Sequence, residues 1–202
     1  MMRRMIHRLG DLSRCCVLGM ALFLAACAGQ LQGGNWTTLF GGTSLDGWNR
    51  IGDANWRLEE GAVVADQGGK TPSYLVSKDS YGDFELTVEF WFDAKANSGV
   101  FLRCSDPRKV GAATAYEVQI SDGRTDGYGT AAITDLARVS PPLRAAAQWN
   151  TYVITAKGPR LSVMLNGTLS ASVENSKYAH GPIALQYIAG LVKFRKVEIR
   201  PL

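Results

Sequence analysis

The residues best equipped for chemistry fall at alternate positions of short apolar stretches. In residues 116–121, Tyr116, Val118 and Ile120 share one side, so Glu117, Gln119 and Ser121 share the other. Arg103 lies near the end of the stretch 99–104, and Gln186 alternates with Leu185 and Tyr187. A carboxylate, a guanidinium and two amides on one surface can each make directional hydrogen bonds to hydroxyl groups. Aromatic rings beside them, here Trp91 and Phe101, can stack on a pyranose face. That combination suits a sugar. Glu117 and Asp122 stand about 16 Å apart along an extended chain. This exceeds the roughly 5–10 Å separation of paired glycosidase acids, so a second acid must come from another strand, with Glu89 the nearest candidate.

Other chemistries are poorly supplied. Past the first 26 residues only one histidine remains, His180, and no nucleophile motif accompanies it. Zinc has no Cys or His cluster. Asp122, Asp126 and Asp135 could hold a hard cation through oxygen, but their spacing is not that of an EF-hand, and solvated loop acids are the default. No cofactor is therefore expected, a divalent cation being the one open alternative. Cys104 falls in phase with Val100 and Leu102 and is expected as a small buried hydrophobe.

The elements that must position these groups are strands. Residues 84–92 alternate strictly, with Phe84, Leu86, Val88, Phe90 and Phe92 on one side and Glu85, Thr87, Glu89 and Trp91 on the other. Residues 99–104, 116–121, 152–157 and 161–165 follow, and Asn166-Gly167 is the favoured two-residue hairpin turn. Ile183, Leu185 and Tyr187 share a face. In the last strand the apolar phase slips at Arg195-Lys196, which predicts a β-bulge. Pairing 84–92 with 99–104 as a hairpin, Phe92 opposite Val100, would set Glu89 opposite Arg103. Many short alternating strands without a long amphipathic helix predict an antiparallel β-sandwich. Residues 122–148, rich in Gly, Ala, Asp and Arg, read as a long functional loop.

The chain has 202 residues and a formal charge of +4. That length suits one large domain. The charge comes mostly from the start, where Arg3, Arg4, Arg8 and Arg14 precede an apolar run ending in Leu24-Ala25-Ala26-Cys27. The run is too short for a membrane span and has the form of a secretory signal ending in a bacterial lipobox. Residues 1–26 are read as a lipoprotein signal peptide, 27–36 as the lipidated Cys27 with its tether, and 37–202 as the folded domain. Removal of the signal leaves 18 basic against 17 acidic residues, and with no Lys/Arg stripe a nucleic-acid partner is not expected. The expected location is the bacterial cell envelope, anchored to a membrane by the N-terminal lipid. Ala28 after the lipidated cysteine favours the outer membrane over the inner.

Eight segments, in order, carry a resemblance to a known family. They are Leu39-Phe-Gly-Gly-Thr-Ser-Leu-Asp-Gly-Trp48, Gly82-Asp-Phe-Glu-Leu86, Asn97-Ser-Gly-Val-Phe-Leu-Arg103, Tyr116-Glu-Val-Gln-Ile120, Gln148-Trp-Asn150, Leu165-Asn-Gly167, Gly181-Pro-Ile-Ala-Leu-Gln186 and Val192-Lys-Phe-Arg195. Together they resemble the 3-keto-disaccharide hydrolase domain family. The resemblance implies a concanavalin A-like antiparallel β-sandwich, or jelly roll, and an enzyme acting on glycosides whose sugar carries a 3-keto group. It also implies Arg103, Glu117, Gln119 and Gln186 as sugar-facing residues. For a 3-keto sugar the expected chemistry has Glu117 as catalytic acid/base with Arg103 and Gln119 holding the enolate or keto oxygen, and Gln186, Glu89, Trp91, Phe101, Trp149, Asn150 and Tyr128 as the expected substrate-binding residues. The family's His-Gly after the Leu-Gln pair is replaced here by Tyr187-Ile188, which keeps open a second reading, a non-catalytic carbohydrate-binding lipoprotein on the same fold.

Overall fold

The computed structural model describes residues 35–202. Cys27 and the signal segment lie outside the described residues. Thirteen strands make two antiparallel sheets. In chain order they are β1 (Thr37–Phe40), β2 (Trp48–Ile51), β3 (Arg57–Glu59), β4 (Ala62–Ala65), β5 (Ser73–Tyr81), β6 (Phe84–Phe92), β7 (Ser98–Leu102), β8 (Tyr116–Ile120), β9 (Trp149–Lys157), β10 (Arg160–Leu165), β11 (Thr168–Glu174), β12 (Gly181–Tyr187) and β13 (Val192–Pro201). The eight-stranded sheet runs β11-β10-β9-β6-β13-β4-β3, with β1 paired to β13. The five-stranded sheet runs β2-β5-β12-β7-β8.

Alternation in sequence becomes layering in space. Phe84, Leu86, Val88, Phe90 and Phe92 of β6 are fully buried against Val100 and Leu102 of β7 and Val118 and Ile120 of β8. Each such side chain contributes about 1.5–3 kcal/mol by leaving water. Asn166 (φ 50°) and Gly167 (φ 82°) both take the left-handed conformation that a type I′ hairpin between β10 and β11 requires. The β13 register shifts between Phe194 and Lys196, so the bulge falls where the apolar phase slips.

The expected β6–β7 hairpin does not form. β6 pairs with β9 and β13, whereas β7 pairs with β12 and β8 in the other sheet. Residues 93–97 carry the chain from one layer to the other. Both strands still point their apolar sides at one core, but across the sandwich rather than side by side, and side-chain parity is the same in either arrangement.

Part of the long loop adds to the sheet. Thr134 N–H donates to Glu117 O at 2.9 Å and Gln119 N–H to Ala132 O at 3.0 Å, so residues 130–134 extend the β8 edge. Tyr152, fully buried on β9, crosses the core to hold this edge. Its hydroxyl donates to Gln119 O at 2.7 Å and accepts from Ala131 N–H at 2.8 Å. Asp122 closes the loop, accepting from Thr130 Oγ1 at 2.7 Å, Ala145 N–H at 2.7 Å and Ala146 N–H at 2.9 Å.

Candidate functional site

Register defines two rows of side chains on the outer face of the five-stranded sheet. One runs Ile51, Tyr74, Gln186, Gly99, Gln119. Its neighbour runs Asn49, Val76, Ala184, Phe101, Glu117. Glu117, Gln119, Gln186 and Phe101 are thus brought to one face. Gly99 gives the carboxylate its place. A Cβ there would meet Glu117 Oε1 at 3.0 Å and Cγ at 3.2 Å, so Glu117 lies over Gly99 toward Gln186.

Tyr74 was not expected at the site. Gln186 Nε2 donates to its hydroxyl at 3.2 Å, and its ring meets Phe101 edge-on at 5.5 Å between centroids. Its alternation with Val76 in Ser73–Tyr81 carried the signal. Gln186 Oε1 is buried without a hydrogen-bond partner. Gln119 is more committed, its Oε1 accepting from Ile120 N–H at 3.0 Å. These groups are deeply placed. Of Glu117, Tyr74, Gln186 and Gln119, Glu117 is the most open, at 8% exposure.

Burial pushes the Glu117 carboxyl above the usual carboxylate range. The Thr134 hydroxyl and the Arg124 guanidinium oppose that rise, and Asp135 adds to it. A carboxyl raised in this way holds its proton more readily than a solvated one, which suits a group that must both take up and give back a proton. Burial raises the Tyr74 phenol as well, with Glu117 adding to the effect, so Tyr74 stays protonated.

Arg103 is not part of this face. At φ 53° it adopts the left-handed conformation just past β7, and the chain turns its side chain away. The guanidinium is 1% exposed. It donates to Gly82 O at 2.8 Å, Gly158 O at 2.8 Å, Tyr178 O at 3.2 Å and Asp83 Oδ1 at 2.9 Å. Arg103 therefore ties the β5–β6 turn, the β9–β10 turn and the approach to β12 together. The same turn places Cys104 on the outer face, with Tyr74, Val76, Phe101 and Ala184, rather than in the inter-sheet core. Burial pushes its thiol up to about 12, which keeps it unreactive.

Four other expected site residues lie elsewhere because β6 and β9 belong to the other sheet. Glu89 pairs with Arg195 at 2.6 Å, and Trp91 lies directly opposite Trp149 on that sheet's solvent side. Arg195 stacks 4.1 Å from the Trp149 ring centroid and Lys193 5.7 Å from that of Trp91. Asn150 is buried as a bracket, its amide nitrogen donating to Ala145 O and Gln148 O and its oxygen accepting from Asn166 Nδ2. Tyr128 sits among the loop cations, under Arg138 at 4.8 Å and Arg124 at 5.9 Å. Among the described residues, no group of three or more His, Cys, Asp or Glu side chains is placed to hold a metal ion. A surface groove of about 540 Å³ beside Arg138, Leu143 and Leu169 contains none of the expected site residues.

Two stacked antiparallel sheets with these strand orders form the jelly-roll sandwich of concanavalin A-like glucanases and galectin-like proteins. Two proteins of Parabacteroides distasonis assigned as glycosyl hydrolases superpose with TM-scores of 0.69, at 19% and 25% identity. Each match covers 83% of this chain, and 94% and 100% of theirs. A Bacillus licheniformis β-glucanase superposes at TM-score 0.57 and 14% identity, over 86% of this chain and all of its own. No curated protein sequence matches. The model of the 3-keto-alpha-glucoside-1,2-lyase-like domain matches residues 35–200, and the chain belongs to that family.

Proposed function

We propose that the protein cleaves glycosides whose sugar carries a ketone at C3, using Glu117 as acid/base. The observation that carries this reading is the raised, nine-tenths buried Glu117 carboxyl laid over Gly99 beside Gln186 and Tyr74. Family membership supports this substrate class. The 3-ketone acidifies the C2 proton. Ionised Glu117 takes that proton, and the C2–H electrons form an enolate between C2 and the C3 oxygen. The enolate collapses to restore the ketone. C1 and C2 become doubly bonded, the C1–O bond breaks, and the leaving oxygen takes the proton from Glu117. Addition of water across the new double bond then gives net hydrolysis. Gln186, with its free Oε1, positions a sugar hydroxyl. The run from Arg3 to Cys27 supports the further proposal that a lipid on Cys27 holds the enzyme in the cell envelope.

The test is incubation of the purified protein with a 3-keto-α-glucoside and with its unoxidised parent. Release of the aglycone from the keto substrate alone is the expected result. The carbohydrate-binding reading is favoured by Tyr187-Ile188 in place of the polar pair, and by a likeness to a Bacillus subtilis carbohydrate-binding module (TM-score 0.54, 16% identity). Saturable binding without release would establish it instead.

A further inference from the structure

Removal of the C2 proton is fast only if the negative charge arriving on the C3 oxygen meets a hydrogen-bond donor. Arg103 cannot supply one, since its guanidinium is taken up by three backbone carbonyls and Asp83 away from this face. Two side chains of the row beside Glu117 offer a free donor, the Gln119 amide and the Tyr74 hydroxyl; Gln119 stands on Glu117's own strand, whereas Tyr74 is held on the far side of Gly99, across the carboxylate. Gln186 Nε2 donates to the Tyr74 hydroxyl at 3.2 Å, so the phenolic oxygen acts there as acceptor and keeps its own proton available. Phe101, edge-on at 5.5 Å, fixes the ring. Glu117 lies over Gly99 on β7, and Gln186, which holds the Tyr74 hydroxyl, stands on the adjacent strand β12. The Glu117 carboxylate and the Tyr74 hydroxyl therefore reach the same stretch of the outer face, over β7 and β12, where one can meet a C2 hydrogen and the other the C3 oxygen.

We infer that the Tyr74 hydroxyl is the hydrogen-bond donor to the C3 oxygen, positioned by Gln186 and Phe101. The inference rests on the Glu117 reading and adds the residue class that selects a ketone at C3. The proton is shared with the enolate oxygen as charge develops and returns to Tyr74 when the ketone reforms, so Tyr74 ends each turnover unchanged. Because the phenol is shifted upward by burial, it remains a neutral donor throughout the range in which Glu117 ionises.

Two measurements test it. With a 3-keto-α-glucoside, Tyr74→Phe is expected to lower kcat by about 10²–10³-fold, with KM little changed. The substitution leaves the buried Gln186 amide without its partner, so a melting temperature a few degrees below wild type is expected, and a single cooperative transition would show that the fold is retained. The second measurement reads the contact directly. Infrared difference spectra are taken of substrate ¹³C-labelled at C3, bound to Glu117→Gln, which holds it unreacted. A downshifted carbonyl stretch is expected, and it should return toward the aqueous value in Glu117→Gln/Tyr74→Phe. An active wild type with an unimpaired Tyr74→Phe, or a carbonyl stretch indifferent to Tyr74, would overturn this inference and leave the Glu117 reading standing. A wild type that does not turn over the keto substrate would instead defeat the Glu117 reading.

Discussion

Replacing Arg103 with methionine removes a buried clamp and preserves most of the side-chain volume. The guanidinium is 1% exposed and donates four hydrogen bonds, three of them to backbone carbonyls in separate segments. Each carbonyl left dry without a donor costs about 1–3 kcal/mol. Those of Gly82 and Gly158 sit near the surface and can recover water in part, and Asp83 is 42% exposed and rehydrates. A net loss of about 3–5 kcal/mol follows, the range for breaking a buried charged contact. For a domain of this size each kcal/mol moves Tm by about 2–4 °C, so the melt should fall by about 6–20 °C. Arg103→Lys should recover part of the loss, since an ammonium reaches one or two of the acceptors but not all four. The assay is thermal unfolding followed by circular dichroism, with residual activity measured well below the transition. An Arg103→Met protein that melts with wild type yet loses activity would refute the clamp and return Arg103 to the substrate.

Three further outcomes follow from the geometry. Gly99→Ala places a methyl 3.0 Å from Glu117 Oε1 and should displace the carboxylate, lowering kcat/KM by about 10²-fold for roughly 1–3 kcal/mol of stability; unaltered kinetics would show that Glu117 does not act from this position. The raised Glu117 carboxyl holds its proton in the folded state over a pH window where the unfolded chain has released it, so stability falls as pH rises through that window. Glu117→Gln should therefore melt close to wild type in acid and above it at pH 8, and a less stable variant at pH 8 would contradict the desolvation account. Trp91→Ala and Trp149→Ala, on the far sheet, should leave turnover of a 3-keto-glycoside unchanged; a loss in either would place the substrate on the wrong face.

The site was legible in the sequence where a single strand settled the question. Alternation in Tyr116–Ile120 and Gly181–Tyr187 is enough to put Glu117, Gln119 and Gln186 opposite the core, and both strands proved to share a sheet. Which strands become neighbours was not legible. Parity fits Phe92 beside Val100 as well as it fits the two facing each other across the core, so it cannot tell that Glu89 and Trp91, with Trp149, lie on the other sheet from Glu117. Arg103 failed for a different reason. Its phase in the sequence continues β7, whereas a left-handed residue at the strand end reverses the side-chain direction, and nothing in Leu102-Arg103-Cys104 announces that turn. Asn150 has the composition of a sugar ligand but spends its amide closing a loop.

The central claim is that Glu117 performs the chemistry on a C3-oxidised sugar. The most direct test is the rate of aglycone release from a 3-keto-α-glucoside by wild type and by Glu117→Gln, each also assayed on the unoxidised glucoside. Release by wild type from the keto substrate alone, abolished in Glu117→Gln at an undiminished melting temperature, is the predicted result. Equal release by both proteins would contradict it.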